Sequence, residues 1–216
     1  MEESTIYVLA GVNGSGKSSI LGAAIRSKGG EFFNPDTYTA ELITVNPGLT
    51  LQEAQGEAWK FGRESLETAI SNRGIFAFET TLGGKTITRI LLEAALSETK
   101  ISIFYIGLNS VDLNIQRVAD RVKKKGHNIP TDKIRQRWFG SVENIVRLLP
   151  YLNELRVYDN SESVTDGSSP KAKLLINISN GIIDGGMESI LREDFTEWAE
   201  PIAMSAIDAF TPKSEI

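Results

Sequence analysis

The chain contains no cysteine, which excludes a disulfide, a thiolate nucleophile and a cysteine metal site. His127 is the only histidine, and its place between two helical segments reads as a turn residue rather than a catalyst. No apolar run approaches the roughly 20 residues needed to span a bilayer. The acidic start, MEESTIYVLAG, lacks the basic residues and the longer apolar stretch of a secretory signal. An excess of positive charge is missing too. The net charge of −5 argues against a nucleic-acid or anionic-membrane binder. Internal repeats and low-complexity linkers are absent. The 216 residues suffice for one sizeable α/β domain and are too few for two ordinary ones. These absences lead us to expect one cytoplasmic domain over residues 1–216, with no membrane segment and no nucleic-acid partner.

What is present reads as strands alternating with helices. TIYVLAG (5–11) is a short apolar run ending in glycine, as in a buried parallel strand. A helix is predicted from Lys17 to about Ser27. EFF (31–33) reads as a second short strand, followed by a helix over 37–45. Ala54, Ala58, Phe61, Leu66, Ala69 and Ile70 recur at helical spacing over 51–73, with Gly74 as the stop. IFAFET (75–80), KISIFYIGL (100–108) and ELRVYDN (154–160) read as strands, and KTITRILLEAALSE (85–98) as a helix. Two basic helices are predicted at about 111–125 and 131–149, broken by GHNIP. KLLINISNGIID (173–184) reads as a hairpin, because Asn180-Gly181 favours a type I′ turn. The tail from Met187 reads as an amphipathic helix interrupted near Pro201, and 160–173 as a loop. The pattern predicts an α/β fold: a parallel sheet with helices on both faces, then a C-terminal hairpin and helix. Its site is expected at the carboxyl ends of the strands.

GVNGSGKSSI (11–20) satisfies the pattern G-x-x-x-x-G-K-[ST] at every fixed position. It follows a strand and opens a helix, as the phosphate-binding P-loop does. Backbone N–H groups of such a loop cradle phosphate oxygens. Gly14 and Gly16 permit the tight turn. Gly11, Asn13, Gly14, Ser15, Gly16, Lys17, Ser18 and Ser19 are therefore the expected ATP-binding residues. Lys17 is expected on the β and γ phosphates, and Ser18 on Mg²⁺.

The class of nucleotide protein is narrowed by missing signatures. There is no N-K-x-D stretch for guanine, and no LSGGQ-like signature of transporter ATPases. No strand of four apolar residues ends in Asp-Glu, as in motor and AAA-type ATPases. A small phosphotransferase needs less: the loop, an acceptor base and mobile cations.

Asp36, in FFNPDTYTAEL, is a candidate base that accepts a hydroxyl proton as the γ-phosphoryl transfers. Its position alone favours the alternative, a helix N-cap. Glu79 ends an apolar strand beside Thr80 and Thr81, where polar residues face the ligand crevice. Between Arg117 and Arg137 stand eight basic residues against Asp120 and Asp132. Arg117 and Arg121 are four apart and share a helix face. The basic pair at about 111–149 is read as a lid whose arginines stabilise transition-state charge and exclude water. Lys123, Lys124 and Lys125 read instead as a solvated face. Without interleaved aromatics, the patch does not read as a nucleic-acid surface.

Taken in order, GVNGSGKSSI, FFNPDTY, FAFETTLGGK, QRVADRVKKKGHNIPTDKIRQRW and YDNS resemble the zeta-toxin-like kinases. The likeness is strongest to short bacterial members described as predicted ABC-type ATPases. It covers roughly residues 5–161 and implies a P-loop NTPase fold of the kinase type. It also implies transfer of phosphate from ATP, with Mg²⁺, to a small-molecule hydroxyl. The best-studied members phosphorylate the sugar 3′-hydroxyl of UDP-N-acetylglucosamine. By resemblance, Asp36 matches the acceptor-activating aspartate, reversing the cap preference. Glu79 and Thr80 match substrate-contacting positions. Arg117 and Arg121 match the lid arginines, with Arg135 or Arg137 as alternatives for the second. The resemblance also implies a small antitoxin protein as partner. The rival reading is a regulatory or partner-coupled ATPase, with Asp36 as a cap and the basic helices as a docking face.

Overall fold

The computed structural model describes residues 4–27, 30–123, 129–162, 172–192 and 194–211. Strand β1 (Thr5–Gly11) is buried on both faces from Val8 onward, as its apolar carboxyl half requires. Ile6, Val8 and Ala10 enter a large core on one side, and Leu9 a smaller one on the other. Strand β3 (Lys100–Gly107) repeats the alternation, with Ile101, Ile103 and Tyr105 opposite Phe104 and Ile106. The sheet order is β2 (Ile75–Thr80), β1, β3, β4 (Glu154–Asp159), β5 (Lys173–Ser179), β6 (Ile182–Ile183). The first four strands are parallel, and β5 and β6 are antiparallel to their neighbours. Register aligns Ala10 with Thr80, Gly11 with Ile106, and Gly107 with Asp159, so these residues share the carboxyl edge.

Helix α1 (Lys17–Ser27) covers the smaller core through Leu21. The larger core takes Leu66 of α3 (Leu51–Ser71), Leu91 of α4 (Lys85–Leu96), Ile145 of α6 (Thr131–Leu148) and Ile202 of α7 (Glu200–Phe210). Two further helices, α2 (Pro35–Val45) and α5 (Val111–Lys123), flank the carboxyl edge. A buried 2.8 Å hydrogen bond between the Tyr105 and Ser141 hydroxyls fastens α6 to β3. Burial pushes the Tyr105 phenol up to about 12, so it remains protonated.

Several expectations are corrected. EFF is not a strand: Phe33 alone makes one parallel bridge to Phe78. Pro35 follows almost at once and turns the chain into α2, which begins two residues earlier than expected. Asp36 is not the cap. Asn34 is, with its side chain accepting from the backbone N–H of Asp36 and Thr37. Helix α3 starts at a Thr50–Glu53 capping box and stops before Gly74. The left-handed residue at its end is Arg73, at φ 52°, while the Gly74 N–H bonds back to the Ala69 carbonyl. The tail is not one helix. It has 3-10 turns at Met187–Ser189 and Glu197–Ala199, and then α7. Pro201 opens α7 rather than interrupting it, because a first-turn proline gives up no helical hydrogen bond. The hairpin turn is as expected, with Asn180 and Gly181 at φ 48° and 75°. Lys124, Lys125, His127 and most of the 160–173 loop lie outside the described residues.

Candidate functional site

The loop between β1 and α1 curls back at the carboxyl edge. Gly11, at φ 142°, has no room for a side chain, since a Cβ would stand 2.2 Å from the Ile106 carbonyl oxygen. At Gly16 a Cβ would stand 2.7 Å from the Asn160 amide nitrogen. That amide donates to the Ser15 carbonyl at 2.8 Å and braces the loop from the end of β4. A second brace comes from α5, where the buried Asn114 amide donates to the Asn13 carbonyl. Helix α1 begins at Lys17 with no acidic residue in its first turn. Its first N–H groups and positive dipole end therefore suit an anion.

Lys17 is buried. Its ammonium donates to the Val12 carbonyl at 3.1 Å and lies 3.7 Å from a Glu79 oxygen. Burial lowers its pKa; Glu79 and then Asp36 oppose that shift, and Arg121 adds to it. Ser18 donates its hydroxyl to the other Glu79 oxygen at 2.7 Å. Asn34 donates to that same oxygen at 2.9 Å. Glu79 thus stands across the loop from α1, at the tip of β2.

Two cavities meet here. The first, about 370 Å³, runs along the loop and is walled by Gly14, Gly16, Ser18, Ser19, Arg117 and Arg121. The second, about 470 Å³, lies between α3, the start of α4, and α6. Asn13, Lys17, Asp36 and Glu79 line both. Thr80 and Thr81 line only the second, and their hydroxyls accept from the Leu82 and Gly83 N–H groups at 3.1 and 3.4 Å. Its wall also carries Trp59, Arg63, Lys85 and Lys133.

The cations of the helix pair separate. Arg121 lies 3.5 Å from the Asp36 carboxylate. Arg117 reaches the Ser161 and Glu162 carbonyls at 3.5 and 3.4 Å, and burial lowers its pKa against the opposing pull of Asp159. Arg137 donates to the Asn13 side chain at 2.9 Å and lines the second cavity. Arg135 turns away to Asp112 at 3.4 Å and borders neither cavity. Lys123 pairs with Asp120 on the surface.

Sequence reasoning missed Asn34, Asn114, Asn160, Trp59, Arg63, Lys85 and Lys133 as site residues. Asn34 carried a usable signal: asparagine followed by proline is a cap-then-N1 pair. Lys85, Lys133 and Asn160 lie within stretches that carry the resemblance, but nothing in those stretches assigned them a role; Trp59, Arg63 and Asn114 gave no signal.

Among the described residues no cluster of three or more Asp, Glu, His or Cys could enclose a metal. The Ser18 hydroxyl beside the Glu79 carboxylate does fit Mg²⁺, a hard cation that takes one or two protein oxygens and completes its shell with phosphates and water. No helix among the described residues is long and apolar enough to cross a membrane.

A glycine-bound loop opening a helix at the carboxyl edge of this sheet defines a P-loop fold of the kinase type. The Zeta toxin family model matches residues 2–167, and the chain belongs to that family. A relative from Haemophilus influenzae, known as an uncharacterized protein, is 29% identical over 141 residues, covering 64% of this chain and 94% of its own. Among solved structures, the AvrRxo1-ORF1:AvrRxo1-ORF2 complex with ATP matches at TM-score 0.61 and 16% identity, over 84% of this chain and 60% of the matched one. The present chain thus spans about 60% of that relative's length. The PezAT toxin–antitoxin system of Streptococcus pneumoniae matches at TM-score 0.51 and 13% identity, over 98% and 88% of the two chains. At such identities the likeness is one of fold.

Proposed function

We propose that the protein is an ATP- and Mg²⁺-dependent kinase that phosphorylates a hydroxyl of a small molecule. The observation that carries this is the shared wall. A phosphate-binding cavity and a second cavity meet at Lys17, Asp36 and Glu79. A machine ATPase has no need of a second pocket opening onto the γ-phosphate position; a transferase does. Ser18 and Glu79 would hold Mg²⁺, which would neutralise charge on the phosphates. Asp36 takes the proton of the acceptor hydroxyl. The acceptor oxygen bonds to the γ-phosphorus as the bond to the β–γ bridging oxygen breaks, and ADP departs. Lys17 and the arginines Arg117, Arg121 and Arg137 balance the charge that moves. The helices bearing these arginines act as a lid on a single kinase domain.

The second cavity favours an anionic acceptor over a bare sugar. Arg63, Lys85, Lys133 and Arg137 line it together with Asp36 and Glu79. That supplies the basic wall a nucleotide sugar's diphosphate requires, with Thr80 and Thr81 toward its hydroxyls. Family membership makes UDP-N-acetylglucosamine the first acceptor to test, and a small antitoxin the first partner. A reaction that draws on ATP suits a cytoplasmic protein. The experiment incubates protein, Mg²⁺-ATP and UDP-N-acetylglucosamine and seeks one added phosphate by mass spectrometry, beside a parallel incubation with a metabolite extract. Phosphate added only to another metabolite would remove this acceptor and leave the kinase. ATP turnover indifferent to every acceptor would remove the kinase.

A further inference from the structure

Asn34, the cap of the helix bearing Asp36, touches both that helix and the Ser18 end of the phosphate loop through one side chain. Its Oδ1 accepts from the Asp36 and Thr37 N–H groups at 2.9 and 3.1 Å. Its Nδ2 donates to the Glu79 carboxylate at 2.9 Å and lies 3.4 Å from the Ser18 hydroxyl oxygen. The amide can sit only one way round. Flipped, it would set its oxygen against a carboxylate and its NH₂ against two N–H donors. A backbone rung stands beside this contact: the Phe33 N–H donates to the Ala77 carbonyl, and the Glu79 N–H to the Phe33 carbonyl, both at 2.8 Å. Pro35 then holds the first helical φ.

We propose that Asn34 is a positioning residue: its single amide ties the Asp36 helix to the Ser18–Glu79 pair and so sets the base's place relative to the phosphate and its metal. A plain cap needs only Oδ1. Serine, threonine and aspartate cap comparably, but none offers an NH₂ that spans to Glu79 while its oxygen caps. The catalytic half of this proposal rests on the kinase reading of Asp36, and the structural half does not.

Two variants separate the halves. Asn34→Ser keeps a cap and loses the tie; Asn34→Ala loses both. The Ser variant is expected to melt close to the parent, and the Ala variant about 2–4 °C lower, as loss of one cap predicts for a chain of this size. Both are expected to lose about tenfold or more in kcat while KM for ATP stays within about twofold, since the loop is untouched. Hydrogen exchange in the nucleotide-free protein supplies a readout independent of activity. In Asn34→Ser the rung from the Glu79 N–H to the Phe33 carbonyl, next to the lost tie, should loosen, so that the Glu79 amide exchanges about tenfold faster while the Asp36 and Thr37 amides keep their protection. Parent-like turnover in the Ser variant would overturn the proposal, and so would unchanged exchange at Glu79. A loss of kcat in the Ala variant alone would reduce Asn34 to a cap. If the parent transfers phosphate to nothing, the kinase reading is what falls, and exchange at Glu79 alone decides the tie.

Discussion

The two cavities share a wall yet differ in build. The loop cavity is lined on one side by a contiguous run, Asn13 to Ser19, with glycines and a helix start, and on the other by Arg117, Asp120 and Arg121 of one helix. The second cavity is made of side chains that arrive separately, Trp59 and Arg63 from α3, Lys85 from α4, and Lys133 and Arg137 from α6. Backbone recognition suits a ligand part common to many proteins, the triphosphate. Side-chain recognition suits the part that differs, the acceptor. Substitutions should therefore divide cleanly: those on the loop side act on ATP with every acceptor, and those on the other act on the acceptor alone.

The largest effect is expected at Lys17. Lys17→Ala removes a buried cation that lines both cavities, and transfer should fall on the order of a thousandfold with any acceptor. Quenched-flow or coupled assays of ADP release measure this. Retained turnover would remove the loop lysine from the mechanism and the comparison with it.

Next comes Asp36→Asn. Asn34, not Asp36, caps α2, so the change leaves the cap intact. It removes only a favourable charge at a helix N-terminus, about 0.3–1 kcal/mol, or about 1–4 °C of melting temperature. Phosphoryl transfer should drop on the order of a hundredfold or more, with ATP affinity retained, because the amide cannot take the proton. Calorimetry and isotopic transfer on one preparation check both halves. A folded, fully active Asn variant would leave the second cavity without its base.

A smaller and more selective effect is expected at Arg63 and Lys133. Arg63 lies over Trp59, its guanidinium carbon 5.4 Å from the ring centroid, and meets Glu64 and Glu67 only at 3.9 Å. Loss of either cation should raise KM for an anionic acceptor about tenfold, roughly 1.4 kcal/mol, and leave KM for ATP unchanged. A rise in KM for ATP instead would mean that the cavities are not divided as drawn.

The same division explains what could be read from the sequence. Gly11 to Ser19 are contiguous because neighbouring N–H groups must converge on one phosphate, so the loop is legible as a string. The central strands were legible because burial on both faces demands near-continuous apolar runs, as in IFYIG of β3. EFF misled for a related reason: two adjacent phenylalanines suggest a strand, but Asn34-Pro35 ends pairing after one bridge. The Asp36 cap reading failed because Asn34, two residues earlier, caps equally well and leaves proline at N1. The wall of the second cavity was illegible because Arg63, Lys85 and Lys133 look alike, in sequence, to any solvated cation. Only the packing of α3, α4 and α6 decides which of them face inward.

The smallest effect is the most exacting test of that packing. Arg135 and Arg137 are two residues apart on α6, and either could be matched to a lid arginine from sequence. They point differently: Arg135 toward the Asp112 carboxylate at 3.4 Å, Arg137 toward Asn13 on the shared wall at 2.9 Å. An exposed ion pair contributes about 0–1 kcal/mol, so Arg135→Ala should change neither melting temperature nor turnover beyond about twofold. Arg137→Ala should lower turnover about tenfold or more, because its charge faces both the phosphate loop and the acceptor. Steady-state rates of the two variants, measured side by side, decide it. A larger loss at Arg135 would mean that α6 rotates when substrates bind, exchanging the arginine that faces the shared wall.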